Sequence, residues 1–191
     1  MTFLENKHIV LGSASPRRHQ LVKDLGIDSE IRLKPVKEEF PPSLSSEKVA
    51  EFLAELKAKA LINTLVANEI LITADTVVIA NDKVLGKPSS VSEARKMLQS
   101  LAGSVHQVIT GVHIASTAKS TSFSVCTNVF FKPLSDVEID YYIETYSPMD
   151  KAGAYGIQEW IGQIGIEKIE GCFYNVMGLP TAKLWETLKT F

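Results

Sequence analysis

The chain alternates between short apolar runs and stretches in which apolar residues recur every three to four positions. His8-Ile-Val-Leu11 is apolar and reads as a first strand. Ser15 is a good N-cap and Pro16 a good first helical residue. Leu21, Val22 and Leu25 then give a helix its apolar stripe, and Gly26 ends it. Glu30-Ile-Arg-Leu33 is weakly strand-like, and the proline- and serine-rich stretch from Lys34 to Ser46 reads as loop. Ser46 is predicted to cap a long helix running to about Val66. Its stripe is Val49, Phe52, Leu53, Leu56 and Ala60, with Lys57 at the edge.

Ile, Leu and Val dominate Glu69 to Ala80, which predicts a strand buried on both faces. Asp75 sits in its middle with no cation nearby in sequence. An uncompensated buried carboxylate is costly, so the fold must bring it a partner. Asp75 is therefore either a functional group or an acceptor of backbone hydrogen bonds, and its own segment leaves both readings open. Asn81-Asp82-Lys83 turns the chain and Val84-Leu85 resumes it, which predicts a hairpin. Gly86-Lys87-Pro88 ends the hairpin and returns Lys87 towards its own strand.

Ser90-Val-Ser-Glu93 is a capping box opening a helix to Leu101, with Gly103 as its stop. Val105 to Ala115 and Ser122 to Phe131 predict an antiparallel pair joined by Ser116 to Thr121. Ser135-Asp-Val-Glu138 is a second capping box, opening a helix to about Thr145 with Tyr141, Tyr142 and Ile143 towards the packed face. Met149 to Gln158 is rich in small residues without a clear period. Glu167 to Gly171 leads into Cys172-Phe-Tyr-Asn-Val-Met-Gly-Leu-Pro180, and an amphipathic helix runs from Thr181 to Leu188. No repeat is visible, nor a linker long enough to separate independent domains.

This order of elements predicts an α/β fold. The chain has 191 residues, 45% of them hydrophobic, which suits one domain with a sizeable core or two small lobes. Net charge is −2 and no basic run exceeds two residues, so no nucleic-acid partner is expected. No apolar stretch approaches the roughly 20 residues of a membrane helix, and the N-terminus lacks a signal-peptide plan. The expected location is the cytoplasm, with no membrane partner. Cys126 and Cys172 stand far apart in no metal-like spacing, which fits a reducing compartment. Cys126 lies in an apolar run and reads as a buried, inert thiol.

One turn carries candidate chemistry. Gly12-Ser-Ala-Ser15 joins a strand to a helix N-terminus, where free N–H groups and the positive dipole end suit an anion. Arg17 and Arg18 stand in the first helical turn, unfavourable for the helix itself but sensible if something negative binds between them. The alternative is an ordinary capped helix with two solvated arginines. The turn lacks the Gly-Lys-Ser/Thr of a P-loop.

Five segments carry a resemblance. Leu11-Gly-Ser-Ala-Ser-Pro-Arg-Arg18, Thr73-Ala-Asp-Thr-Val-Val78 with Gly86-Lys87-Pro88, Ile109-Thr-Gly-Val112, Lys151-Ala-Gly-Ala-Tyr-Gly-Ile-Gln158 and Tyr174-Asn-Val-Met-Gly-Leu-Pro180 resemble, in order, the motifs of the Maf-like nucleotide pyrophosphatases. The resemblance covers nearly the whole chain, 1–191, as a single domain. It implies an elongated, two-lobed α/β fold around a mixed, curved sheet with a cleft between the lobes. It implies hydrolysis of a nucleoside triphosphate to monophosphate and pyrophosphate with a divalent metal cation, Mg²⁺ or Mn²⁺. The Lys151–Gln158 segment is similar to that of the dTTP/UTP subfamily, modified pyrimidine nucleotides included.

By that resemblance Asp75 is the catalytic residue, and Ser13, Ser15, Arg17, Lys57 and Lys87 bind substrate. Arg17, Thr76 and Gln158 set specificity, and Glu38 and Asp75 hold the metal. A triphosphate needs such donors and cations, and water attack needs an orienting base. Three positions depart from the family's usual pattern. Gly12 stands for Ala, which reads as harmless. Lys37 stands for an Asp beside the loop Glu, which bears on metal holding. Glu159-Trp160 stands where Gly is usual, either reshaping the base pocket or packing the lobe. The partner implied is a nucleoside triphosphate; a homodimer is left open. The rival reading is a nucleotide-binding regulator of cell division with weak or no hydrolysis, which would not need Asp75. A phosphatase releasing orthophosphate is a third, separated by its product.

Overall fold

The computed structural model describes residues 2–191. The elements are β1 (His8–Leu11), α1 (Pro16–Asp24), β2 (Ser29–Ile31), α2 (Ser46–Leu61), β3 (Glu69–Ala80), β4 (Lys83–Leu85) and α3 (Val91–Leu101). They continue with β5 (Val105–Ala115), β6 (Ser120–Phe131), α4 (Asp136–Tyr146), α5 (Trp160–Gly165), β7 (Ile166–Glu170), α6 (Phe173–Met177) and α7 (Thr181–Thr190). One sheet runs in the order β2-β1-β3-β5-β6-β7, with β4 pairing β3 off that path. β1 is parallel to both β2 and β3, whereas β3–β4 and β6–β7 are antiparallel, so the sheet is mixed. β3 is interior to the sheet, which explains its near-continuous apolar sequence: every residue except Thr76 is buried.

The chain divides into two compact units. The first comprises the residues up to Asp75, Thr110–Val125 and Gly178–Phe191; the second comprises Thr76–Ile109 and Cys126–Met177. In the first unit Val10, Ala58, Leu61, Leu71 and Ala115 form a core cluster with Ile62 and Leu65 against it. The face of α2 that packs inward is Val49, Ala50, Leu53, Ala54, Ala58 and Leu61. Phe52, Leu56 and Ala60, expected in the stripe, are only partly buried. Alanines take the inner face because helix and sheet meet backbone to backbone. A Cβ on Gly111 would lie 2.3 Å from the Glu51 nitrogen and 2.4 Å from the Ala50 carbonyl carbon. In the second unit Leu98, Leu101, Val108, Val129, Phe131, Ile139 and Ile161 lie in one buried cluster.

Local chemistry accounts for most element ends. The β3–β4 hairpin turns on Asn81 and Asp82, both left-handed at φ 49° and 59°, the pattern of a two-residue type I′ turn. Ser135 and Glu138 form the reciprocal capping box that the sequence predicts. At α3 the box is only half formed: Ser90 Oγ accepts from Glu93 N, but the Glu93 carboxylate reaches back to Ser89 instead. Ser15 occupies the N-cap of α1 without a side-chain capping bond. Ser45, not Ser46, is the extended N-cap of α2, and the helix ends at Leu61, where Thr64 Oγ1 donates to the Leu61 carbonyl. Tyr141 is exposed while Ile139, Tyr142 and Ile143 are buried. Cys126 is exposed rather than buried, because Thr127, Val129 and Phe131 take the inward positions of β6. The short helices α5 and α6 are absent from the sequence reading; neither is long enough to show a helical period.

Candidate active site

In the first unit β3 delivers Asp75, 8% exposed, and α2 delivers its partner. Thr73 Oγ1 donates to the Ala54 carbonyl at 2.7 Å, fastening α2 to β3 two residues before Asp75. Lys57 lies one helical turn beyond Ala54, at the edge of the packed face. Its ammonium donates to Asp75 Oδ1 and lies 2.9 Å from Glu38 Oε1 on the loop between β2 and α2. Two carboxylates from a strand and a loop thus converge on one ammonium. Asp75 therefore belongs to a side-chain cluster that its own segment could not reveal.

The β1–α1 turn lies in the same unit. Ser13, 6% exposed, accepts through Oγ from the Ser15 amide at 3.2 Å and from Arg18 Nη1 at 3.4 Å. Arg18 is buried and its Nε donates to the Gly178 carbonyl at 2.7 Å. Burial pushes its guanidinium below the ordinary value and Arg17 adds to this, while the Asp75 and Glu38 carboxylates oppose it. Arg17, Arg18, Glu38 and Asp75 therefore share one electrostatic environment. The two arginines are not an equivalent solvated pair: Arg18 is packed and Arg17 half-exposed. Arg18 is the residue missing from the expected site set. Its spacing from Leu21 and Val22, three and four residues on, puts it on the buried face and was the available signal. Gly12 is less neutral than it reads: an added Cβ would come within 2.6 Å of Thr73 Cγ2 and 2.8 Å of Leu61 Cδ1.

The remaining candidates belong to the second unit. Thr76 follows Asp75 on β3 and is partly exposed, and Lys87 is exposed in the turn after β4. Gln158 is exposed at the end of the small-residue segment. That segment is tied to the turn before Lys87, since Gly153 N donates to the Gly86 carbonyl at 3.1 Å. Glu159 turns inward: its Oε1 lies 3.1 Å from Lys151 Nζ and its Oε2 accepts from the Tyr142 hydroxyl. Trp160 packs edge-on against Tyr141 at 4.9 Å between ring centroids. Both departures from the usual Gly at this point are thus engaged with the protein itself. Lys37 pairs with Glu39 at 2.6 Å on the exposed loop.

Glu38 and Asp75 carry hard carboxylate oxygens, the donor type of Mg²⁺ or Mn²⁺, and both face the Lys57 ammonium that they share. A different cluster, His8, Glu30 and Glu69, brings three ligand atoms within 4.8 Å of one another. A cation already fills it. Arg32 binds Glu69 through two nitrogens at 2.7 and 3.0 Å and Glu30 at 2.8 Å.

The fold is an α/β protein on a mixed sheet whose first unit holds a buried carboxylate, a lysine shared by two acids and a helix that opens with two arginines. The family model described as Maf-like protein matches residues 8–191, and the chain belongs to that family. It is 51% identical to a Flavobacterium johnsoniae protein named dTTP/UTP pyrophosphatase, over 98% of this chain and 96% of that one. A Parabacteroides distasonis protein of the same name is 50% identical over 98% of each. Among solved structures, the Staphylococcus aureus Ham1 protein aligns over 95% of this chain and 100% of its own, with TM-score 0.51 and 18% identity, a likeness of fold. Among the described residues no helix is long and apolar enough to cross a membrane.

Proposed function

We propose that this protein is a nucleoside triphosphate pyrophosphatase that converts dTTP and UTP, and modified pyrimidine relatives, to the monophosphate and pyrophosphate. The observation that carries the reading is the Asp75–Lys57–Glu38 cluster in a member of this family. The names of relatives at about half identity over nearly the full length support the substrate class. The family match from residue 8 to 191 supports reading the chain as one such domain.

In this reading Asp75 orients a water and accepts its proton as the water oxygen bonds to the α-phosphorus. The bond from that phosphorus to the α,β-bridging oxygen breaks, and the bridging oxygen leaves with pyrophosphate. Lys57 holds the Asp75 carboxylate in place and offers positive charge. Ser13, Ser15 and the amides at the start of α1 donate to phosphate oxygens, and Arg17 and Lys87 neutralise phosphate charge. Arg18 holds the turn by fixing Ser13 to the Gly178 carbonyl. Glu38 and Asp75 would hold a divalent cation, Mg²⁺ or Mn²⁺. Bound there, it would supply charge neutralisation on the phosphates. Thr76, Gln158 and Arg17 set specificity: the Gln158 amide offers both a donor and an acceptor, matching a pyrimidine carbonyl and N3–H together. We place the enzyme in the cytoplasm, where its substrates are made.

A panel of UTP, dTTP, CTP, GTP and modified pyrimidine triphosphates, with every product identified, tests this. The reading predicts pyrophosphate and monophosphate, fastest from UTP and dTTP. Orthophosphate and a nucleoside diphosphate as products, or nucleotide binding without turnover, would refute it.

A further inference from the structure

The segment from Lys151 to Glu159 is clasped at both ends by its own terminal residues. Lys151 is 7% exposed, and its ammonium lies 3.1 Å from Glu159 Oε1 and 2.8 Å from Asp150 Oδ1. Tyr142, fully buried on α4, accepts through its hydroxyl from the Gly156 amide at 3.0 Å and donates to Glu159 Oε2. Burial and the neighbouring Glu159 carboxylate push this phenol well above its ordinary value, so it stays a donor. Between the ends, Gly153 and Ala154 are both left-handed, at φ 68° and 60°. Alanine adopts that conformation only where its surroundings impose it.

A buried ion pair adds little stability over an apolar pair of the same size, and its best-attested use is to specify one arrangement. Gly156 shows what is arranged. It needs no glycine backbone conformation, yet a Cβ there would lie 2.8 Å from Glu159 Cδ and 2.9 Å from Gln158 Nε2. The clasped carboxylate and the Gln158 amide therefore share the space that Gly156 leaves open.

We propose that Lys151, Glu159 and the Tyr142 hydroxyl form a clasp that positions the Gln158 amide for reading the base, with Gly156 providing its seat. The inference rests on the pyrimidine triphosphate reading above. Lys151, Glu159 and Tyr142 are positioning residues that act through Gln158.

Two variants test it without leaving a lone buried charge. Lys151→Met with Glu159→Gln removes the ion pair and keeps an acceptor for Tyr142. Gly156→Ala removes neither charge and crowds the Glu159 carboxylate and the Gln158 amide directly, and its thermal transition is measured alongside to show that it folds. Wild type and both variants are assayed for kcat and KM on UTP, dTTP, CTP and GTP, and hydrogen exchange is followed across residues 151–159. The clasp predicts that the UTP-to-CTP ratio of kcat/KM falls about tenfold in both variants, through KM. It also predicts faster exchange at the Gly156 amide in the double variant. A parallel loss on all four nucleotides, an unchanged ratio in Gly156→Ala, or unchanged exchange in the double variant would overturn it. A wild-type protein that releases no pyrophosphate would sink the functional reading instead, and the exchange experiment would still decide whether the clasp orders the segment.

Discussion

Strand β3 buries two carboxylates, one at its first residue and one near its middle, on the same face by the two-residue period of a strand. Both are paired with a cation in the same unit, yet the pairings differ in kind. Glu69 is held by two guanidinium nitrogens of Arg32, and its Oε2 also accepts from the Val66 amide at 3.0 Å. These bonds hold its carboxyl down at about 2, and Arg32 is raised in turn. Asp75 is held by one lysine on a flexible stem, which also serves Glu38. A planar guanidinium locked onto both carboxylate oxygens leaves little for a ligand to take. Lys57 divides a single point charge between two acids and makes no two-point lock on either. In the proposed mechanism this difference separates a structural carboxylate, Glu69, from the reactive one, Asp75, and burial alone does not reveal it.

Substitution at Asp75 has the largest expected effect. Asp75→Asn keeps the shape but cannot take a proton, so pyrophosphate release should fall by about 10²–10⁴-fold or more while the thermal transition stays close to wild type. A near-normal rate would place the chemistry elsewhere. Next come the cations: Arg17→Ala and Lys87→Ala should each lower kcat/KM by about 10–150-fold, the value of a charge-assisted contact, as steady-state kinetics would reveal. Glu69→Gln should show the opposite profile. Urea denaturation should record a loss of about 1–2 kcal/mol, discounted because Arg32 is partly exposed, with kcat/KM within about twofold of wild type.

The smallest effect is in acid. Because the Glu69 carboxyl is held at about 2 in the folded chain against an ordinary 4.5, its contribution is present above the unfolded value. It is lost as pH falls from there towards the folded value. Glu69→Gln should flatten the stability profile between those limits. An identical acid limb in both proteins would mean that the Arg32 pair contributes nothing to folding.

Much of this could be read from the residues. The hairpin at Asn81-Asp82, the capping box at Ser135, and the full extent of β3 follow from local rules that tertiary packing does not overturn. On α2 the helical spacing alone does not distinguish Phe52, Leu56 and Ala60, which are partly buried, from Ala50, Ala54 and Ala58, which pack inward. A helix pressed backbone to backbone on Gly111 accepts alanine where leucine would not fit. Cys126 was misplaced because its run was read as uniformly apolar, although Ser122, Ser124 and Asn128 mark an alternating strand. At the site, Asp75 announced itself by being a charge in an apolar strand, but its partners lie on a helix and a loop, and only the fold brings Lys57 and Glu38 to it. The clasp around Gly156 depends likewise on contacts between segments distant in sequence, since Tyr142 reaches it from α4.

In the proposed mechanism water, activated by Asp75, attacks the α-phosphorus. Turnover of UTP in ¹⁸O-labelled water tests it directly, with the position of the label read by mass spectrometry. Label is expected in the monophosphate and none in the pyrophosphate. Label in the pyrophosphate would mean attack at the β-phosphorus and would contradict it.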